Sequence, residues 1–122
     1  MKKIKIKKEK KLKEKDVDAL WSLKVKQRDK YKCVYCSKTS YLNSHHIFSR
    51  SNRSVRFYLP NGITLCSGHH TLNSAFSAHK APADFIEWLK VYLGEEKYND
   101  LRRRAHEVEK RSLEELFSEL SA

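Results

Sequence analysis

Residues 45–70, HHIFSRSNRSVRFYLPNGITLCSGHH, decide how the rest of this 122-residue chain is read. They hold four of its six histidines, in two adjacent pairs, His45-His46 and His69-His70. Asn61 stands between the pairs, and Cys66 sits just ahead of the second. Paired histidines beside a cysteine point to a metal or substrate site, because imidazole is the commonest protein metal ligand.

Working outward, Cys33 and Cys36 form a C-x-x-C, and after twenty-nine intervening residues comes Cys66-x-x-His69. Tetrahedral zinc takes four N or S ligands from two such tight turns, each turn placing two ligands ~3.5–4 Å apart. The quartet Cys33, Cys36, Cys66 and His69 uses all three cysteines, which no disulfide pairing can do. The bland alternative is three unrelated buried cysteines. The long gap means that an insert, carrying His45, His46 and Asn61, lies between the halves of the site.

Geometry then divides each histidine pair. Consecutive helical residues point about 100° apart, so if His69 faces the zinc, His70 faces elsewhere. Successive strand residues alternate faces, so His45 and His46 have different tasks.

With 39% hydrophobic residues and a mean hydropathy of −0.76, the chain is one domain at most, with a small core that benefits from a metal staple. Twenty-six Lys and Arg against fifteen acids give a net charge of +11 and a pI near 9.7, which favours a polyanionic partner through counterion release. Residues 1–15 and 16–80 are each +7, whereas 81–122 are −3, so a nucleic-acid face belongs to the first two-thirds. No secretory h-region or membrane-length apolar run is present, and unpaired cysteines fit a reducing compartment; the expected location is the cytoplasm, with no membrane partner.

Three segments are expected: a basic, disordered tail over 1–15, a core domain over 16–80, and a helical extension over 81–122. Asp16 is the expected cap of a helix to about Gln27, with Val17, Leu20, Trp21 and Lys24 on one stripe. A strand over 41–47, a basic loop over 48–60 carrying Arg50, Arg53 and Arg56, and a returning strand over 62–65 follow the knuckle. Ser67 is the expected cap of a helix to about Phe76. Pro82 opens another helix, stopped by Gly94, and one last helix carries Tyr98, Leu101, Ala105, Val108, Leu113, Leu116, Phe117 and Leu120. Trp21 and Trp88 are expected in the core, and these C-terminal helices as scaffold, protein-partner or self-association surface.

The order His45-His46, Asn61, His70 resembles the signature of the HNH endonucleases, whose core is a ββα-metal hairpin plus helix. The intervals, fifteen residues from His46 to Asn61 and nine more to His70, resemble those of the colicin DNases. The flanking C-x2-C and L-C-x2-H resemble the zinc-stapled branch, and the small phage-encoded members most of all. The resemblance covers about residues 16–80. It implies that His46 is the general base, that His45 and His70 hold a catalytic divalent ion, and that Asn61 braces the loop holding the base. Two departures stand out. His69 replaces the branch's usual cysteine, and Ser74 occupies the place of a third metal histidine, leaving two histidines with phosphate and water, or a substitute such as Asn73 or His79. By itself, His79 reads more readily as a loop histidine.

The expectation is thus an α+β, zinc-stapled ββα-metal fold with flanking helices and the activity of a DNA endonuclease hydrolysing phosphodiesters by a single-metal mechanism. Attack on an anionic diester needs a base and a cation, and neutral histidine, with an ordinary pKa of about 6.5, suits the first role. An imidazole site without carboxylates favours Mn²⁺, Co²⁺, Ni²⁺ or Zn²⁺ over Mg²⁺. Arg50, Arg53 and Arg56 are candidate phosphate contacts. The rival is a non-catalytic zinc-containing module that binds nucleic acid.

Overall fold

The computed structural model describes residues 11–122, so the expected tail lies largely outside the described residues. Helix α1, Glu14–Arg28, begins before the expected position. Asp16 is not its cap: it sits in the first turn, where its carboxylate accepts the Lys13 N–H at 2.8 Å and favours the positive end of the helix dipole. The inward stripe is Val17, Trp21 and Val25, with Val25 in the place expected for Lys24, since an unpaired ammonium would be costly there.

After the Cys33–Cys36 knuckle, strands β1 (Leu42–His46) and β2 (Gly62–Cys66) form an antiparallel two-stranded ribbon. The register opposes His46 to Gly62, His45 to Ile63 and Leu42 to Cys66. Alternation gives the ribbon two covered faces. On one, α1 packs over His46, Ser44 and Gly62, with Ser22 and Ser44 hydroxyls 2.9 Å apart. On the other, His45, Ile63 and Leu65 meet Phe85 and Leu89 of helix α3, Pro82–Leu93. The end of α1 is tied to β2 by Asp29, whose carboxylate accepts the Thr64 N–H at 2.9 Å.

Between the strands lie one short helix, α2 (Arg53–Arg56), and a 3₁₀ turn over Leu59–Asn61. After β2 the expected helix to Phe76 does not form. Gly68–Leu72 makes a single wide turn, closed by the Asn73 N–H on the Gly68 carbonyl at 2.8 Å. Ser67 offers no side-chain cap; its hydroxyl donates to the Tyr41 carbonyl instead.

Pro82 opens α3 and Gly94, at φ +85°, closes it, as expected. The single last helix is two: α4 (Glu95–Ala105) and α5 (Leu113–Ser121). The break has a local cause. Ser112 caps α5 by accepting the Glu115 N–H at 3.1 Å, while Val108, read as part of the apolar stripe, is exposed. Leu116 and Leu120 of α5 join Val17, Trp21, Val25 and Phe57 in one cluster, and Leu101 and Ala105 of α4 cover Val55. Trp21 is buried as expected, and Trp88 is partly buried against the cluster containing Cys33 and Cys66. No helix among the described residues is long and apolar enough to cross a membrane.

Gly62 is where α1 approaches the ribbon most closely. A Cβ there would lie 2.6 Å from Trp21 Cζ2 and closer still to Val25 Cγ2. Gly62→Ala should therefore cost about 1–3 kcal/mol by overpacking. A thermal melt checks this, and an unchanged midpoint would show that the helix yields freely.

Candidate metal centres and the histidine between helices

Two ligand clusters share the ribbon. The first is the expected quartet, Cys33, Cys36, Cys66 and His69, whose ligand atoms all lie within 4.8 Å of one another. Cys36 Sγ is 3.8 Å from Cys66 Sγ, and His69 Nδ1 is 3.2 Å from Cys66 Sγ and 3.9 Å from Cys33 Sγ. Tetrahedral zinc, with bonds of about 2.3 Å to sulfur and 2.0–2.1 Å to nitrogen, requires ligand separations of about 3.5–3.8 Å. A disulfide requires about 2.05 Å, and all three cysteines are free. The donor set and spacing therefore fit a structural metal ion. Burial opposes ionisation of the Cys33 thiol, but backbone N–H groups of Cys66, Cys36 and Tyr35 outweigh it and hold the thiol below its ordinary value.

Two devices bring the quartet together. The Val34 N–H donates to the Thr64 carbonyl at 2.9 Å, pinning the knuckle to β2, and the wide turn begins two residues after Cys66. Tyr35 stacks on Phe76 at 4.2 Å and leans on His69 at 4.6 Å, forming a wall around the site.

The second cluster is His45, His70 and His79, again with ligand atoms within 4.8 Å. His70 Nε2 and His79 Nε2 are 3.1 Å apart, close to the ~3.0–3.4 Å separating two nitrogens on one ion at 2.0–2.1 Å. His79 reaches this place because the chain doubles back. Asn73 Oδ1 accepts the N–H groups of Ala75 and Phe76, reversing the backbone, and the Ala78 and His79 N–H groups then bond the His69 and His70 carbonyls at 2.9 and 3.0 Å. Asn73 thus shapes the turn and its oxygen is engaged there, while His79 joins the cluster. Burial, then repulsion from His70 and His79, pushes His45 down to about 3, and burial also lowers His70. Both shifts suit His45 and His70 to holding a cation as neutral ligands.

His46 lies on the other face. Its ring stacks on Trp21, with centroids 3.9 Å apart and planes inclined by 10°. The Trp21 indole N–H donates to the Tyr58 carbonyl at 2.9 Å, which fixes the indole. His46 Nε2 is 3.0 Å from the Arg56 carbonyl; a carbonyl only accepts, so Nε2 carries the proton and Nδ1 presents a lone pair. Burial holds the His46 pKa below its ordinary value, the hydrogen bond and Asp18 opposing that shift only in part.

The loop between the strands is braced by Asn61, which is fully buried. Its Oδ1 accepts the Phe48 N–H at 2.8 Å, and its Nδ2 donates to the Phe48 and Val55 carbonyls at 2.9 and 3.1 Å. Only a short primary amide both donates and accepts in this way. Of the loop arginines, Arg56 forms a two-point pair with Asp18 (3.1 and 2.7 Å) and a further contact to Glu14, and Arg53 pairs with Glu14. Arg50 is exposed and makes no ion pair among the described residues. Sequence reasoning assigned no site role to Trp21 or Asp18. The available signal was their i, i+3 spacing on α1, which places both near one face.

No family model, curated protein or solved structure matches this chain.

Proposed function

We propose that this chain is a metal-dependent DNA endonuclease of the HNH type, with the three-cysteine, one-histidine quartet holding a structural zinc. The observation that carries the reading is the placement of His46. A neutral imidazole, its tautomer set by the Arg56 carbonyl, immediately precedes the loop braced by Asn61 and immediately follows a ligand of the three-histidine cluster.

In this reading His46 Nδ1 takes a proton from the attacking water, and the Trp21 face favours the resulting imidazolium. Asn61 keeps the loop, and with it the Arg56 carbonyl, in register. His45, His70 and His79 would hold the divalent ion, which when bound supplies charge neutralisation at the scissile phosphate. Arg50 is the loop cation free to meet a flanking phosphate, whereas Arg53 and Arg56 serve to tie the loop to α1. The charge of +11 supplies non-specific attraction to the backbone that weakens steeply with salt.

The test is cleavage of supercoiled plasmid by the intact protein with added Mn²⁺, Co²⁺, Ni²⁺, Zn²⁺ or Mg²⁺, against EDTA, alongside DNA binding. Nicked or linear product in at least one metal and none in EDTA is expected. Binding without cleavage in every metal would replace the nuclease with a nucleic-acid-binding zinc module.

The third ligand gives a sharper expectation. His79→Ala should weaken binding of the catalytic ion by about 10-fold or more while the structural metal stays bound, and excess metal should restore part of the rate. Equal metal dependence of variant and wild type would return His79 to the loop.

A further inference from the structure

Every non-glycine residue with positive φ among the described residues lies in the twelve residues 30–41: Lys30 (57°), Tyr31 (54°), Ser37 (66°) and Tyr41 (53°). Left-handed backbone is disfavoured for side chains of this size, and glycine or asparagine would adopt it at less cost. At Lys30 and Tyr31 it closes the end of α1, the Tyr31 and Lys30 N–H groups donating to the Lys26 and Gln27 carbonyls at 2.8 and 3.0 Å. At Ser37 it closes the knuckle, the Ser37 N–H donating to the Cys33 carbonyl at 2.8 Å; Tyr41 has neither role, and its surroundings enforce it. Two of the four are tyrosines, and the stretch interleaves them with basic residues, as Lys30-Tyr31-Lys32 and Lys38-Thr39-Ser40-Tyr41. None of these lysines is ion-paired among the described residues.

Tyr41 is the more informative of the two. Its carbonyl accepts both the Ser67 N–H at 2.8 Å and the Ser67 hydroxyl at 3.1 Å, so its backbone is clamped to the residue that precedes the metal turn Gly68–Leu72. The clamp is polar and leaves the residue 76% exposed, with the Lys38 ammonium over one side of the ring, 5.4 Å from its centroid. A structural tyrosine would turn its ring inward and find a partner for its hydroxyl. This one offers a flat aromatic face and an adjacent cation on a rigid base.

We infer that Tyr41 and Lys38 form a platform on which an unpaired base stacks while the ammonium meets its phosphate, so that the preferred substrate is DNA carrying a single-stranded segment. An exposed aromatic with a neighbouring cation is the combination that binds unpaired bases, and it is indifferent to sequence because every base has a π face. The reach is suitable. From Tyr41 to His45 is at most about 13 Å of chain, or about four base steps at 3.4 Å, so a nucleotide on Tyr41 lies just beyond the start of β1, a few residues from the site. The inference rests on the nuclease reading for its meaning, but not for its test.

The experiment measures binding in a His46→Ala background, so that cleavage does not intrude. It compares a duplex with the same duplex interrupted by a short unpaired gap containing 2-aminopurine. The His46→Ala protein should bind the gapped DNA more tightly and quench the probe. Adding Tyr41→Ala should weaken gapped binding by about five- to a hundredfold, abolish quenching, and leave duplex affinity and bound zinc unchanged. Tyr41→Phe should retain both binding and quenching, since stacking needs the ring and not the hydroxyl. Equal affinity for gapped and intact duplex, or an equal loss with alanine and phenylalanine, would overturn the platform. Gap preference in a protein whose wild type cuts no plasmid would uphold the platform and discard the nuclease.

Discussion

Cys36→Ser should give a protein that purifies without its structural metal and melts without a cooperative transition. Among the described residues three small apolar clusters, rather than one large core, make up the interior, and the one that contains Cys33 and Cys66 joins the knuckle to β2 and α3. Structural zinc in a small domain is worth ~10–16 kcal/mol of apparent binding free energy, against about 5–15 kcal/mol for the net stability of a whole domain. With zinc in the quartet, removing one of four ligands should leave too little to hold the ribbon, the knuckle and the wide turn together. Metal analysis and near-ultraviolet circular dichroism provide the check. A metal-free variant melting at the wild-type temperature would mean that packing alone sustains the fold.

The second large effect is catalytic. His46→Ala should lower the cleavage rate by about 10²–10⁴-fold, the usual share of a general base, while metal and DNA binding persist. The side chain removed contacts Trp21 and the Arg56 carbonyl on the α1 face, so the three-histidine cluster on the opposite face keeps its ligands. The pH profile carries a matching sign. Burial lowers the His46 pKa below 6.5, so the base remains unprotonated as pH falls through 6.5 and is lost only below it. His45, pushed to about 3, and His70, also lowered, protonate on the same side. The wild-type rate should therefore hold to below pH 6.5 and then decline. An acid limb centred above 6.5 would contradict this placement of the base, and unchanged cleavage by His46→Ala would remove its role.

The parts of this architecture written in ligand spacing were the easiest to read. Cys33, Cys36, Cys66 and His69 come together as their two short intervals require, and β1 and β2 form where a short, partly apolar segment and its return from Gly62 are expected. What escaped were features set by side chains that capture the backbone nearby and, for the arginines, by partners distant in the chain. The expected helix after Ser67 shrinks to one turn because Asn73 captures the backbone at Ala75 and Phe76. That same reversal delivers His79, nine residues after His70, to a cluster that helical spacing would have filled from within one turn. The last helix looked continuous because leucines recur at helical intervals on both sides of Val108, although the Ser112 cap starts a new helix. Arg53 and Arg56 looked like free cations because their partners, Glu14 and Asp18, are nearly forty residues away in the chain.

The two-faced ribbon also gives two adjacent histidines different supports. His46 answers to α1, through Trp21 and the Arg56 held by Asp18, whereas His45 answers to α3, through Phe85. Adjacent residues therefore belong to different structural jurisdictions, separated by the thickness of one strand. The structural costs of changes beneath one histidine should combine additively with those beneath the other: Trp21→Phe and Phe85→Leu, in separate apolar clusters, should together lower the unfolding free energy by the sum of their separate effects, within about 0.3–0.5 kcal/mol. In the nuclease reading, the proposed metal ligands could thereby be altered from the α3 side while the residue proposed to handle the proton keeps its support on α1.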